Sequence, residues 1–478
     1  MKSKRAIAIG LIGIMCAGTV VGCGNSNSSA SSESNAESAP STSSADAVTS
    51  TADASASESN STESSEPLKG EITFWHSFTQ GPRLETIQAA ADAFMKDNPG
   101  VKINIETFSW SDFYQKWTSG LASGNVPDMS SAQASQVVEM IDADAIIPMD
   151  DLIDDIGRDN FYDGALKELT ASDGHTYGLP LYSNTEAMWV RKDLLEKYNL
   201  EVPETWDEFY EASKTITDGE GGNVYGGAFP CGTNDMLATR WLNLYVHSAG
   251  ETLITKDGKA NLTSKTAIDG INYWVKYYKD CSPSDSLNYN TLDEANMYYQ
   301  GKVAFDFNTG FHISGVETNS PDLMDYIDCY PVPRVNKGDP EVGVESNHMP
   351  FVIWKASKHP EICKAFIKYF YDPDRYVNFL LSVPVGMMPA LKGVTDTEQY
   401  KSNEIVQKYQ HANKVLFQML EGSTSIGMDY GPTAKAGLLQ SQRVIENMFQ
   451  DIILNGTDTE TAAKSAEDQL NDLFETVE

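Results

Sequence analysis

The sequence predicts an α/β fold in two lobes, each a mixed, mostly parallel sheet flanked by helices. Three observations carry that prediction. The chain has 478 residues, 41% of them hydrophobic and 10% aromatic, which is more than one domain usually holds. From Gly70 onward, short β-branched and aromatic runs alternate with segments whose apolar residues recur at helical spacing. Asn, Pro, Asp and Gly clusters punctuate the joins, as turns require. Alternating strands and helices imply right-handed βαβ units, and in such sheets ligands sit beyond the carboxyl ends of the strands.

The N-terminus is of another kind. Lys2, Lys4 and Arg5 precede the apolar run AIAIGLIGIMCAGTVVG, too short and Gly-rich for a permanent membrane span, so it reads as a signal peptide. The run closes on VVGCGN, which resembles the bacterial lipobox at which cleavage leaves a lipidated cysteine. Cys23 is the expected lipidation site, and its acyl chains would hold the protein to a membrane surface. The serine-rich, acidic tract that follows has almost no large apolar residue to offset chain entropy, so a flexible tether is expected there.

In the body, EITFW leads into a helix with Leu84, Ile87, Ala91 and Phe94 on one face. VKINIE alternates as a strand, and the next helix carries Phe113, Trp117 and Leu121 together. Asn125, Pro127 and Asp128 turn the chain into a third strand, with Asp128 read as a loop or cap residue. A second region opens with an apolar strand at 187–190 and the Pro-started helix PETWDEFYEASKTI. Near the C-terminus, Ile445, Met448 and Ile452, then Ala466, Leu470 and Leu473, are spaced to bury two helix faces.

A net charge of −33 and a pI near 4.5 argue against nucleic acid, which needs a basic stripe. Cys231, Cys281, Cys329 and Cys363 lack any zinc-like spacing, and buried thiols are favoured over disulfides, although export would permit bridges. The acidic run MDDLIDDIGRDN lacks the spaced ligands and closing glutamate of a calcium loop, so a solvated helix face is expected and no cofactor is called for.

Taken in order, ITFWHSF, NVPDM, the PETWDEF helix, GKVAFDFNTGF, YPVPRV, PEICKAFIKYFYD and VPVGMMPAL resemble the extracellular solute-binding proteins that feed ABC importers, the group containing the maltose-binding and glycerol-3-phosphate-binding proteins. The resemblance runs from about Gly70 to the C-terminus. It implies a two-lobe periplasmic-binding-protein-like fold whose chain crosses between lobes at hinges near 180–182, 329–333 and 382–386. The division that follows is a signal peptide at 1–22, the lipidated cysteine and tether at 23–69, a first lobe of 70–181 with 331–381, and a second of 182–330 with 382–478. It further implies a carrier, not an enzyme, lipid-anchored on the outer face of a bacterial cytoplasmic membrane. The carrier would hand a carbohydrate to separate permease subunits and, through them, to an ATPase.

A sugar presents C–H patches that stack on rings and hydroxyls that need donors and acceptors, so its site interleaves aromatic and polar residues. At the positions the resemblance marks, the candidates are Trp75, His76, Trp110, Gln133 and Ser135 on the first lobe, with Tyr182 and Asn184 at the hinge. Asn308, Phe311, Met387, Asp429 and Tyr430 complete the set from the second. Each has a plainer reading: a Trp or Phe at a strand end as core, His76 bonded to backbone, Asp429 as a helix cap.

The alternative ligand is glycerol-3-phosphate or a phosphodiester. Against it, Met387 stands in Gly386-Met387-Met388-Pro389 where that relative has tyrosine, and Lys435 is the late cation found in place of its arginine. A surface glycoside hydrolase would need two carboxyl groups across the sugar, for which chance pairs such as Glu186 with Asp429 exist. No G-x-S-x-G, H-E-x-x-H or phosphate loop is present, and a surface adhesin finds no internal repeat in its favour.

Overall fold

The computed structural model describes residues 67–79, 81–233 and 235–477, apart from the side chains at 110, 111 and 114. The expected signal peptide, Cys23 and nearly all of the tether lie outside the described residues. Among the described residues nine strands form two sheets. They are β1 (Gly70–His76), β2 (Val101–Thr107), β3 (Met129–Ser131), β4 (Leu179–Thr185), β5 (Ala187–Arg191), β6 (Phe305–Asn308), β7 (Ile327–Tyr330), β8 (Ser346–Ile353) and β9 (Met388–Pro389). The first sheet has the order β2-β1-β3-β8-β4-β9 and the second β6-β5-β7, giving the two lobes.

The first βαβ units are as the sequence reads. β1 pairs in parallel with β2 and β3, and helix Gly81–Asp97 between them buries Ile87, Ala91 and Phe94. Helix Trp110–Ser123 is capped by the Ser109 side chain and ends on Gly124 at φ 74°, a conformation that suits glycine. Its Phe113 and Trp117 are fully buried.

The first sheet is mixed and the second antiparallel, so neither is mostly parallel. β8 pairs antiparallel with both β3 and β4, so β4 runs in the direction of β1–β3, β9 pairs antiparallel with β4, and both pairings of β5 in the second sheet are antiparallel. The reason is topological: β8 comes back from the other lobe, so it runs against the strands that began at the N-terminus.

The ladders place the first crossing later in the chain than the resemblance implies. Residues 182–185 stay in the first sheet, paired from Tyr182↔Met349 to Thr185↔Ser346, and the chain passes to the second sheet at Glu186. It returns between Tyr330 and Ser346. β9 lies in the first sheet, beyond the stretch expected to leave it. Ser183, Asn184 and Thr185 look like loop residues, yet the ladder and a Ser183 Oγ to His348 Nδ1 bond of 2.7 Å hold them in a strand.

A first apolar core centres on the first sheet and takes in Trp189, Ile327 and Cys329 from the second sheet, and another core lies within the second lobe. In the second, Phe229 stacks on Trp274 at 5.6 Å, with Trp241, Trp206 and Phe307 edge-on around them. Full burial of each such ring contributes about 1.5–3 kcal/mol or more. Helix Trp206–Glu220 starts at a Thr205/Glu208 capping box, and the C-terminal helices bury Ile445, Met448, Ala466 and Leu470. Cys231, Cys281, Cys329 and Cys363 are buried free thiols.

Two acidic features prove structural. Asp128 accepts from the Thr73 N–H at 2.8 Å and the Ser357 hydroxyl at 2.6 Å, tying β1 to the segment after β8. In the acidic run, Asp150 and Asp154 pair with Arg158, while Asp151 and Asp155 pair with Lys364 and Lys368. Among the described residues no group of acidic, His or Cys side chains is arranged to hold a metal.

Candidate functional site

β4 and β8 run as a two-stranded ribbon past the end of β3, whose last residue, Ser131, pairs only as far as Phe351. Side chains alternate across this ribbon. Tyr182 and Asn184 share one face with Met349 and Asn347, and Ser183 and Thr185 share the other with His348 and Ser346.

On the first face, three candidates meet around a residue that the sequence reading did not single out. Arg83, 1% exposed, donates from Nη1 to the Tyr182 hydroxyl at 3.0 Å, with the Phe78 ring at 4.7 Å and the Phe311 ring at 5.1 Å. Such contacts with ring faces favour a cation. His76 stacks on Phe78 at 5.3 Å, and its Nδ1 accepts from the Phe78 N–H at 3.2 Å. Burial, with a smaller push from the Arg83 charge, lowers its pKa to about 3, so it stays neutral. With Nδ1 accepting, the proton belongs on Nε2, which is buried and has no protein partner. Burial raises the Tyr182 pKa, although Arg83 partly offsets it.

Strand alternation sends Trp75 the other way. Its ring, 4% exposed, packs edge-on to Phe108 at 5.6 Å and under the Lys116 ammonium at 4.6 Å. Trp75 and His76 therefore line opposite faces of the sheet. The backbone of Trp110 opens its helix, and its side chain lies outside the described residues.

The second lobe adds a buried polar network at the end of β6. Asn308 donates from Nδ2 to Glu294 at 3.3 Å, accepts from the Thr309 N–H, and gives its backbone carbonyl to Trp189 Nε1 at 2.9 Å. Asp306 pairs with His312. At the crossing, Arg240 bonds to Glu186 and, from Nε at 3.2 Å, to Glu345. Burial pushes Glu186 up to about 8 against the pull of Arg240, with Glu345 and Asp306 adding to the rise. Glu294 is raised well above the usual carboxyl range by burial and by neighbouring Asp306. Burial works against the Arg240 charge, yet Glu186 and Glu345 hold its pKa above the ordinary value.

The remaining candidates scatter. Gln133 precedes helix Ala134–Asp142 and bonds Gln136, and Ser135 Oγ is 3.5 Å from Gln440 Oε1. Met387 is wholly buried in the first core. Asp429 lies 3.1 Å from His247 Nε2 and accepts from Thr424, while Thr433 caps the helix that follows, so Asp429 is not that cap. Tyr430 is 59% exposed. Asp429 and Glu186 belong to separate networks.

Sequence reasoning passed over Arg83, Arg240, Glu294, Asn347 and Arg443. Periodicity cannot separate a buried arginine from a surface one. Arg443 shows no local signal either, yet it stands at φ 58°, a conformation uncommon for any residue but glycine. A late arginine is thus present where only Lys435 was noted.

At the ends of β1 and β3 and on the ribbon, several buried polar atoms have no protein partner: His76 Nε2, Ser77 Oγ and Ser131 Oγ, with Asn184 Oδ1 on one face of the ribbon and Ser346 Oγ on the other. Buried polar groups are rarely left unpaired, so these positions suit a ligand that is itself rich in donors and acceptors.

Known proteins resemble this chain over most of its length. A periplasmic-binding protein assigned to an ABC transporter in Escherichia coli strain K12 is 22% identical over 84% of this chain and 93% of its own. The arabinooligosaccharide-binding protein of Halalkalibacterium halodurans is also 22% identical, over 84% of this chain and 88% of its own. A Thermotoga lettingae solute-binding protein solved with α-D-tagatose superposes with a TM-score of 0.73 at 20% identity, covering 84% of this chain and 99% of that one. Among the described residues no helix is long and apolar enough to cross a membrane. The sequence profile of one family matches residues 80–375, more than half of the chain, and with the two-lobe fold it settles the kinship: the chain belongs to the bacterial extracellular solute-binding proteins.

Proposed function

We propose that this protein captures a carbohydrate, an oligosaccharide by preference, between its two lobes and delivers it to the permease subunits of an ABC importer driven by a separate ATPase. The observation that carries the reading is the pair of unpaired buried polar atoms His76 Nε2 and Asn184 Oδ1, the first on a ring stacked against Phe78 and the second on the ribbon face of Tyr182, whose ring meets Phe78 and Phe311. Rings and hydrogen-bonding groups in alternation are what a sugar requires. The sugar ligands named for the relatives support the same class. Only a ligand that touches both lobes favours closure, since a shift needs differential affinity. We place the pivot of closure where the two crossover segments leave the first sheet, just before Glu186 and just after Glu345, anchor the chain through lipidated Cys23 on the outer face of the cytoplasmic membrane, and assign it no catalysis.

A phosphate ester is the second reading, and Arg83 beside a histidine that presents only a donor favours it. A thermal-shift panel of mono- and oligosaccharides and glycerol-3-phosphate, with product analysis, tests both. At 100 times its Kd, a ligand adds about 2.7 kcal/mol, about 3 °C for roughly 400 folded residues. A shift with an unaltered sugar supports the reading. A shift only with the phosphate ester favours the alternative, and a hydrolysed sugar refutes the carrier assignment.

A further inference from the structure

Two crossover strands meet side by side between the lobes, and a single side chain holds both. The Glu186 N–H donates to the Glu345 carbonyl at 3.3 Å, and the Thr185 hydroxyl donates to the same oxygen at 2.6 Å. Glu186 is the residue between β4 and β5, and Glu345 immediately precedes β8. The guanidinium of Arg240 reaches the carboxyl groups of both, with its side chain 14% exposed and theirs 2% and 3%.

Arg240 is itself fixed to the second lobe. It lies on helix Leu237–Ser248 between Thr239 and Trp241. The Thr239 N–H and hydroxyl donate to Glu446 at 3.0 and 2.8 Å, and Trp241 is buried in the aromatic core. One turn on, Asn243 donates to the Val344 carbonyl at 3.1 Å, a second tie from the same helix to the returning strand. On the ribbon side, Asn347, which faces Asn184, donates to Glu345 at 3.0 Å.

We propose that Arg240 is a positioning residue that sets the hinge. By clamping residues 186 and 345 to the second lobe, it makes them move with that lobe and confines bending to the ribbon, 183–185 and 346–348. Through Glu345 it also orients the Asn347 amide beside Asn184, so the platform a ligand would meet and the pivot of closure are held by one cation. Its purpose rests on the capture-and-closure reading above; its geometry does not.

The test reads lobe motion without ligand. Spin labels at Gln88→Cys and Glu211→Cys, exposed positions on the two lobes, report the distance between them in the full chain with Cys16 and Cys23 replaced by serine, the other thiols being buried. Arg240→Met is expected to broaden the distance distribution about twofold relative to the parent, as a freed pivot populates more states. Removing one member of a buried ionic group leaves the others uncompensated and can prevent folding. Arg240→Met combined with Glu186→Gln and Glu345→Gln avoids this, and the same broadening is expected. Arg240→Lys, which cannot reach both carboxyl groups in a fixed fork, should broaden it to a smaller extent. A purely structural role would lower the melting temperature with no change in distance. A parent-like distribution in any folded variant of the three overturns the proposal. Because no ligand enters the assay, its failure is separable from failure of the carbohydrate reading.

Discussion

Replacing Glu186 with glutamine keeps the shape and the hydrogen-bond acceptor offered to Arg240 while removing a titration. Burial holds the folded pKa at about 8, with Glu345 and Asp306 contributing and Arg240 opposing, against 4.5 for an exposed glutamate. A carboxyl group whose pKa is raised on folding binds its proton more tightly in the native state. Below pH 4.5 both states are protonated and nothing is lost. Between 4.5 and 8 the unfolded chain releases the proton while the native one keeps it, so stability falls by about 1.4 kcal/mol per pH unit. Above 8 the loss is complete. Glutamine cannot titrate, so Glu186→Gln should gain on the parent by roughly 3 kcal/mol between pH 5.5 and 7.5. Urea denaturation of both proteins at four pH values across that window measures the difference, and pH-dependent terms common to both cancel. A difference that stays constant across the window would refute the placement of a protonated Glu186 beside Arg240.

Further outcomes follow from particular contacts. Asp128→Ala should cost roughly 2–4 kcal/mol in urea denaturation, because the Thr73 N–H and the Ser357 hydroxyl both lose a charged acceptor. Thr205→Ala removes the cap of helix Trp206–Glu220 and should cost about 1 kcal/mol by the same measurement. Gly310→Ala would place a Cβ 2.4 Å from the Val385 carbonyl oxygen, a backbone atom that cannot swing aside, and should cost about 1–3 kcal/mol. Asn184→Ala should weaken binding of the carbohydrate about tenfold by calorimetry, since one hydrogen bond to ligand is worth about 1.4 kcal/mol.

The sequence makes the first lobe legible where local pattern and topology agree. EITFW and VKINIE are parallel neighbours joined by an amphipathic helix, and the period of each segment shows its state. It misleads at the crossing: Tyr182 and Asn184 are expected at a hinge with the second lobe beginning at 182, yet pairing with 346–349 keeps residues 182–185 in the first sheet. The same period of 2 that defines β1 separates Trp75 from His76, a consequence present in the sequence but outweighed by their adjacency. Met387 is expected at a sugar's face and instead lies buried in the core, because its neighbours in space come from distant segments. Arg83 and Arg240 are invisible for a related reason. A buried cation is recognised by its partners, and Tyr182, Phe311, Glu186 and Glu345 reach them only through the tertiary fold. The acidic run is the converse case, a conspicuous motif whose charges are met by Arg158, Lys364 and Lys368.

The most direct test of the central claim is calorimetric titration of the purified protein with the sugar that gives the largest thermal shift, followed by analysis of the recovered ligand. Saturable binding of one sugar per chain is expected, with the ligand recovered unchanged and its affinity lowered by Asn184→Ala. Failure of every carbohydrate to bind, or recovery of a cleaved product, would contradict it.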